Sequence, residues 1–308
     1  MNLAASKKTL NCTSENTEKA SQIRQIWDLA GKSTFIKLGV LIMIMFGSMA
    51  VFSPIWIHIN PAIYDPIIGV DPNVHGSVGP CLKHPLGTDD IGKDLFSQLL
   101  RGSQVAFILG IMVSVLSTTI GTAIGLIAGY YGKIWDTLLM RLADIILTIP
   151  RLPLLIVISG IFGTQSNWII LLILSFTFWP VTARVIRSQT LSLRERPFIE
   201  SAKVSGVSNA GIIVKHLAPN VLPIAFYYLT ITVTGAILVE AGLSFLGFGD
   251  PANMSWGMML QWCFVKGYVF KAPYWMIPPG FCISLLAFAF YLIGVGLEEM
   301  VNPRLKKR

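Results

Sequence analysis

Residues of the types that bind phosphate lie near the start of this 308-residue chain. Gly31-Lys32-Ser33-Thr34 has the form of the end of a phosphate-binding loop, in which glycine amides and a lysine hold a nucleotide. That loop needs another glycine five residues before Gly31, and Ile26 occupies the position. A membrane-length apolar run follows instead of a soluble helix. The sequence therefore predicts that this chain does not bind ATP by that motif.

Thiol and imidazole groups, the preferred ligands of zinc, occur at His75, Cys81 and His84. Their spacing matches no closed zinc pattern, and the surrounding stretch is rich in glycine and proline. A structural loop is the favoured interpretation, and a metal site is the alternative. Neither HExxH nor GxSxG occurs, so no catalytic residue and no metal ligand is predicted.

Three ionisable residues lie inside long apolar runs. Asp144 and Arg151 are seven residues apart, a spacing that places two side chains on nearly the same face of an ideal helix. Glu240 lies in a later run. Such groups usually face the interior of a bundle or a water-filled path. A solute path is the functional hypothesis for all three, and a structural pair or a side chain that reaches the interface is the alternative.

The elements that carry these residues are membrane helices. The chain is 53% hydrophobic and only 13% charged, whereas soluble domains are about 25% charged. Six apolar runs approach or exceed the ~20 residues that cross a bilayer. The predicted spans are Phe35–Trp56, Gln104–Tyr130, Leu138–Phe162, Trp168–Val185, Leu222–Phe248 and Ile277–Leu297.

The distribution of lysine and arginine predicts the orientation of these spans. Most of the basic residues outside the spans fall in the two termini and in the segments that would share their side, and basic residues favour the cytoplasm. Both termini and the segment 194–220 are therefore predicted to be cytoplasmic. The net charge of +8 reflects this topology, and nucleic-acid binding is the weaker interpretation. No cleavable signal peptide is expected.

The chain divides into four predicted parts: a tail over 1–34, a first helix with an external segment over 35–103, a five-helix core over 104–297, and a tail over 298–308. In the external segment, Thr88 or Asp89 is expected to cap a helix over Ile91–Leu100. Cys81 and Cys263 could share the external side. A disulfide between them is possible, and free thiols are favoured.

The polar segment 194–220 separates two apolar runs and has the features of a short helix outside the lipid. Pro197 can occupy the first helical position, and Glu200 falls in the first turn, where a carboxylate is favoured. Ala202 is small, and Gly206 permits either a close approach or a sharp stop. The segment is predicted to fit a groove on a partner protein.

Several blocks of this sequence match one family in order. Glu200-Ser201-Ala202, Gly206 and His216-Leu217-Ala218-Pro219 together resemble the EAA loop of binding-protein-dependent ABC importer permeases. Further similar blocks are His84–Asp94, Glu240–Gly249, Ser255-Trp256-Gly257 and Asn302-Pro303-Arg304-Leu305. They span about Phe35 to Leu305 and are most similar to the second, C-type permease of the dipeptide/oligopeptide/nickel branch.

The resemblance implies an all-α integral membrane protein with six transmembrane helices, the type I ABC importer fold and a cytoplasmic coupling helix. It implies a heterodimer with a related permease, an external solute-binding protein and two ATPases that bind ATP and Mg. Carried over residue by residue, the ATPase-coupling positions are Glu200, Ser201, Ala202 and Gly206. Ser201 departs from the usual second alanine, and Ala218 from the usual leucine.

The expected function is transport of dipeptides or oligopeptides, without enzymatic activity or a cofactor in this chain. The alternatives are import of nickel or another small solute by the same machinery, and an ATP-independent secondary transporter. A secondary transporter would favour internal inverted repeats. The sequence contains no recognisable repeat.

Overall fold

The computed structural model describes residues 33–74, 76–162 and 166–301. These ranges are helical, apart from loops and one isolated β-bridge between Thr88 and Asp94. The helices are α1 (Thr34–Ile59), α2 (Pro61–Tyr64), α3 (Leu95–Tyr131), α4 (Lys133–Thr148), α5 (Arg151–Phe162), α6 (Asn167–Arg194), α7 (Pro197–Val204), α8 (Ala218–Leu243), α9 (Trp256–Val265) and α10 (Pro273–Val301). A turn at Asn209–Gly211 and a π-helical segment at Ile212–Leu217 lead into α8, and a second π-helical segment, Ser244–Phe248, follows it.

Five continuous helical runs among the described residues are long and apolar enough to cross a membrane. These are α1, α3, α6, the run Asn209–Phe248 that contains α8, and α10. The predicted third span, Leu138–Phe162, is instead two helices, α4 and α5, bent by 88°. Ile149 is extended at the break (ψ 127°) because the ring of Pro150 disfavours helical backbone in the residue before it. The prediction of one continuous helix there was wrong.

The second span begins earlier than predicted. Asp94 caps α3, and its carboxylate accepts a hydrogen bond from the Ser97 amide at 2.8 Å. The predicted cap Asp89 binds the Ile91 and Lys93 amides within a loop instead. Of the helix predicted over Ile91–Leu100, the part Leu95–Leu100 is helical, but it is the start of α3 and not a separate helix. The predicted boundary after residue 103 falls inside α3.

Helices α3 and α6 pack closely along three glycines spaced four residues apart. A Cβ on Gly121 would lie 2.6 Å from the carbonyl oxygen of Trp179, and one on Gly125 would lie 2.7 Å from the carbonyl oxygen of Ala183. A Cβ on Gly129 would lie 2.6 Å from the Cβ of Thr190. Small residues let two membrane helices approach to backbone contact. The partners on α6 advance in the same direction as the glycines on α3, so the two helices are parallel.

This parallel packing of α3 and α6 shows that α4 and α5 together form one crossing. Because α3 and α6 end at the same end of the bundle, α6 must start at the opposite end from where α3 stops. The chain that joins them, α4 and α5, therefore carries the backbone from one end to the other. The six predicted crossings are confirmed among the described residues, with one of them broken.

The two ends of the described chain lie at one end of the bundle. A Cβ on Gly296 of α10 would come 3.1 Å from the hydroxyl of Ser33, just before α1. Nearby, the Tyr227 hydroxyl of α8 donates to Glu298 at 3.1 Å. Helix α7 lies at the same end of the bundle as the start of α8. An even number of crossings requires this arrangement.

Candidate functional site

Helix α7 forms where the sequence predicted it, and its two ends have local causes. Pro197 occupies the first turn, where its missing amide proton costs nothing. Gly206 ends the helix with a φ of +75°, which a glycine adopts without strain. The Val207 amide donates to Ala202 (3.1 Å) and the Gly206 amide to Lys203 (3.0 Å). This is a Schellman ending, so of the two roles predicted for Gly206 the structure supports the sharp stop.

The two faces of α7 have different surroundings. Ile199 and Ala202 are buried in a cluster with Leu126 and Tyr130 of α3, Ile186 of α6, Ile212 and Leu217 of the first π segment, and Val221 and Ala225 of α8. Glu200, Ser201 and Lys203 are exposed, and Val204 is 90% exposed. Ala202 therefore packs against its own subunit and seats the helix, while the other predicted coupling residues remain accessible.

Helix α7 is tied to the membrane helices at both of its ends. Only Glu195 and Arg196 separate it from α6. Arg194, the last residue of α6, donates to the carbonyl oxygens of Gly129 and Tyr130 at 3.3 Å each. On the other side, the Tyr130 hydroxyl hydrogen-bonds the side chain of Asn209 at 2.8 Å. Arg194 was interpreted from the sequence only as a topological charge. This contact was missed, although a cation near a helix C-terminus is a recognisable pattern.

Asp144 and Arg151 do not form the structural pair that was the alternative interpretation. The break separates them onto α4 and α5, and the Asp144 carboxylate accepts from Arg184 of α6 instead. A second ion pair joins the same helices, in which Arg187 donates from Nη2 to Asp136 at 2.6 Å. The two pairs line a cavity of about 460 Å³ between α4 and α6. Asp144 therefore contributes to locking α4 onto α6.

The guanidinium of Arg151 lies 4.0 Å from the ring centroid of Phe178 on α6. The Phe178 ring is buried, and it occupies the space that a Cβ on Gly235 of α8 would enter, 2.9 Å away. Arg151 is half-buried at the corner between α4 and α5. The aromatic ring holds the cation in place through its negative face.

Glu240 is buried inside the subunit, with 4% of its surface exposed. Its Oε1 accepts a hydrogen bond from the Ser244 hydroxyl at 2.7 Å, one turn along the chain. The geometry gives Glu240 a bonding role within the subunit. Its place on a solute path stays a prediction.

The candidate metal ligands form a different arrangement. His75 lies outside the described residues. His84 is buried between two carboxylates, with Nδ1 2.9 Å from Asp94 and Nε2 3.2 Å from Asp71. Lys83 also pairs with Asp71, and its hydrogen bond holds the pKa of that carboxyl well below its usual value. Within the described ranges no group of His, Cys, Asp and Glu is suited to a metal ion, and the cysteines at 81, 263 and 282 are free thiols.

An all-helical bundle with six crossings and one short helix seated outside it is the architecture of a multi-pass membrane protein. The profile of the binding-protein-dependent transport system inner membrane component matches residues 121–307. The chain belongs to this family. It is a permease subunit of an ABC importer, a class that works with ATPases and a solute-binding protein.

Curated relatives cover most of the chain. A protein of Brucella suis named as a peptide transport system permease is 39% identical over 230 residues, which are 74% of this chain and 76% of that protein. The dipeptide transport system permease protein DppC of Alkalihalophilus pseudofirmus is 34% identical over 284 residues, 92% and 90% of the two chains.

Among solved structures, a chain of the MetNI methionine ABC transporter in an inward-facing conformation is similar to this fold. The TM-score is 0.51, the identity is 22%, and the match covers 68% of this chain and 97% of that one. The similarity shows that the fold is that of an ABC importer permease. The family match and the curated relatives favour the importer over the ATP-independent secondary transporter.

Proposed function

We propose that this permease imports dipeptides or oligopeptides. The names of the relatives from Brucella suis and Alkalihalophilus pseudofirmus support this substrate class, since both are named for peptide or dipeptide transport. Nickel or another small solute is the alternative cargo. In this proposal the chain pairs with a related permease as a heterodimer, and the two halves enclose the solute path.

The energy for transport comes from other chains in this proposal. Two cytoplasmic ATPases bind ATP and Mg, whereas this subunit holds no cofactor and breaks no covalent bond. Both termini and α7 face the cytoplasm, which agrees with the shared location of Ser33, Glu298 and the start of α8 at one end of the bundle.

The two-faced packing of α7 is the observation that carries the proposed coupling. Glu200 and Ser201 on the exposed face contact a cleft in an ATPase, with Gly206 as the fixed end of the helix. Ile199 and Ala202 on the buried face contact a cluster built from α3, α6 and α8. A displacement of α7 must therefore move three membrane helices. ATP drives the cycle because the ATPases bind it with different affinity in the inward-facing and outward-facing states.

Reversal of one exposed charge tests this coupling. We expect Glu200→Lys, in the reconstituted complex with its ATPases and binding protein, to lower ATP-driven trialanine uptake by roughly tenfold or more, because an unfavourable charge at a docking surface costs several kcal/mol. Lys215→Glu is the matched control: it also reverses one exposed charge, but it lies after α7 and should retain wild-type uptake. Membrane insertion should be the same for both variants.

Wild-type uptake by the Glu200→Lys complex would overturn the coupling role of α7. The cargo is tested separately with the wild-type complex. Uptake of trialanine but not of Ni²⁺ supports the peptide assignment, and uptake of Ni²⁺ alone contradicts it.

A further inference from the structure

We infer that Arg151 and Phe178 form a binding site for the carboxylate of the transported solute, at the corner where the third span breaks. This inference rests on the proposed peptide cargo. Asp144, the acidic residue that its sequence spacing paired with Arg151, is already bonded to Arg184. Because the helix breaks between α4 and α5, Arg151 does not contact the Asp144 carboxylate. Its guanidinium lies against α6 instead.

The Arg151 guanidinium has unused hydrogen-bond donors. A guanidinium carries five N–H donors in a planar fork. Within residues 33–74, 76–162 and 166–301, the guanidinium interacts only with the Phe178 ring, whose centroid is 4.0 Å from its central carbon. The face of an aromatic ring can accept no more than a fraction of these five N–H donors. A half-buried cation at membrane depth without a carboxylate is costly unless water or a ligand reaches it.

The Phe178 ring gives this cation a fixed position. The ring is buried in a cluster with Val105 and Leu109 of α3 and Ala236 of α8, and Gly235 leaves room for its edge. A guanidinium is planar, so its N–H donors lie in one plane wherever the ring holds it. That geometry suits the two oxygens of a carboxylate, which accept two parallel hydrogen bonds from such a fork.

A neutralising substitution in the full complex tests the site. We expect Arg151→Gln to lower uptake of trialanine by about tenfold, because a charge-assisted bidentate contact is worth more than a neutral one. Trialanine amide has no carboxylate, so its uptake by Arg151→Gln should be close to its uptake by the wild type. The preference for trialanine over its amide should therefore be lower in the variant. Arg151→Lys keeps the charge without the fork and should be intermediate. Arg141→Gln, an exposed arginine on α4, is the matched control and should behave as wild type.

A labelling experiment keeps the inference testable if Arg151→Gln assembles poorly. In an Arg151→Cys variant, Cys12→Ala and Cys81→Ala remove the thiol at position 12 and the exposed thiol among the described residues. An anionic methanethiosulfonate reagent should then modify the new cysteine from the aqueous phase. Modification from water supports an accessible site, and complete resistance in both inward-facing and outward-facing complexes overturns it.

The outcomes separate this inference from the proposed cargo. Uptake of trialanine at the wild-type rate by Arg151→Gln, or an equal loss for trialanine and its amide, overturns the carboxylate site and leaves the peptide permease intact. Failure of the wild-type complex to take up any peptide overturns the cargo and the site together.

Discussion

Arg194 donates a hydrogen bond from Nη1 to the carbonyl oxygen of Tyr130, 3.3 Å away. Tyr130 is the penultimate residue of α3, and Arg194 is the last residue of α6. The contact joins the C-terminal ends of two parallel helices at the point where the chain turns into α7. A cation there stabilises the unpaired carbonyls and the negative end of the α3 dipole.

Loss of this cation should weaken the junction. We expect Arg194→Ala to lower the free energy of unfolding by about 1–2 kcal/mol, since a hydrogen bond to a charged group and a helix-end charge are both lost. Thermal unfolding of the purified subunit in detergent measures the effect. Arg196→Ala removes a nearby exposed arginine and should leave the midpoint unchanged. Equal midpoints for the two variants would contradict the assigned role of Arg194.

Close packing between α3 and α6 predicts a strong effect from one methyl group. In Gly125→Ala the new Cβ would lie 2.7 Å from the Ala183 carbonyl oxygen, so the helices must separate. Overpacking of this kind costs about 1–3 kcal/mol. Gly242→Ala in α8 makes the same chemical change where no atom beyond the local helix backbone lies within 4 Å, and it should be neutral or slightly stabilising. Thermal unfolding of both variants measures the difference between their midpoints. Equal midpoints would show that α3 and α6 are loosely packed.

Gly206 and Gly267 allow backbone strain to be separated from coupling. Both have positive φ, +75° and +73°, and at neither glycine would an added Cβ have another atom within 4 Å. An alanine at either position should cost about 1 kcal/mol because a left-handed backbone disfavours a Cβ. Only Gly206 ends α7. We therefore expect similar losses of stability for the two alanine variants, but fewer molecules transported per ATP hydrolysed for Gly206→Ala alone. Equal transport per ATP would argue against a specific role for this helix end.

The hydrogen-bond network around Asp71, between α2 and α3, predicts an acid-sensitive segment. The pKa of Asp71 is lowered, chiefly by the hydrogen bond from Lys83 and despite the opposing effect of burial. A carboxyl with a lowered pKa in the folded state contributes stability that is complete above its unfolded value of about 4 and is lost as the pH falls further.

Thermal unfolding between pH 6 and pH 3 measures this contribution. The wild-type midpoint should fall more steeply below about pH 4 than that of Asp71→Asn, which has no carboxylate to protonate. Ser77→Ala, in the same segment, is the matched control: it removes a neutral hydrogen bond to the Thr88 carbonyl oxygen and should retain the wild-type slope. Parallel slopes for wild type and Asp71→Asn would show that Asp71 does not stabilise the fold through its charge.

Local features were predictable because their causes are local. Pro197 starts α7 and Gly206 ends it through backbone preferences that depend on few neighbours, so the short helix could be predicted from the residues. The apolar runs likewise predicted six crossings, since each must satisfy its own backbone hydrogen bonds in lipid. The start of α3 was predicted too late in the chain, because the cap at Asp94 begins the helix in residues that are less apolar.

Long-range pairings were not predictable from spacing. Asp144 and Arg151 are on one face only if the helix is continuous, and Pro150 removes that condition. The true partners, Arg184 for Asp144 and Phe178 for Arg151, come from α6 and depend on how that helix packs. Ala202 was predicted to dock a partner because its type fits the pattern, yet only the packing of α7 shows which face it occupies.

The glycine-lined contact between α3 and α6 also constrains synthesis. Gly129 and Arg194 are 65 residues apart, with the broken span made between them. At about 5–20 residues per second, α3 waits roughly 3–13 s before its main partner emerges from the ribosome. During that interval the glycine face of a newly inserted helix is open to lipid or to an insertion factor. Correct pairing of this subunit therefore depends on keeping that face free until the fourth crossing arrives.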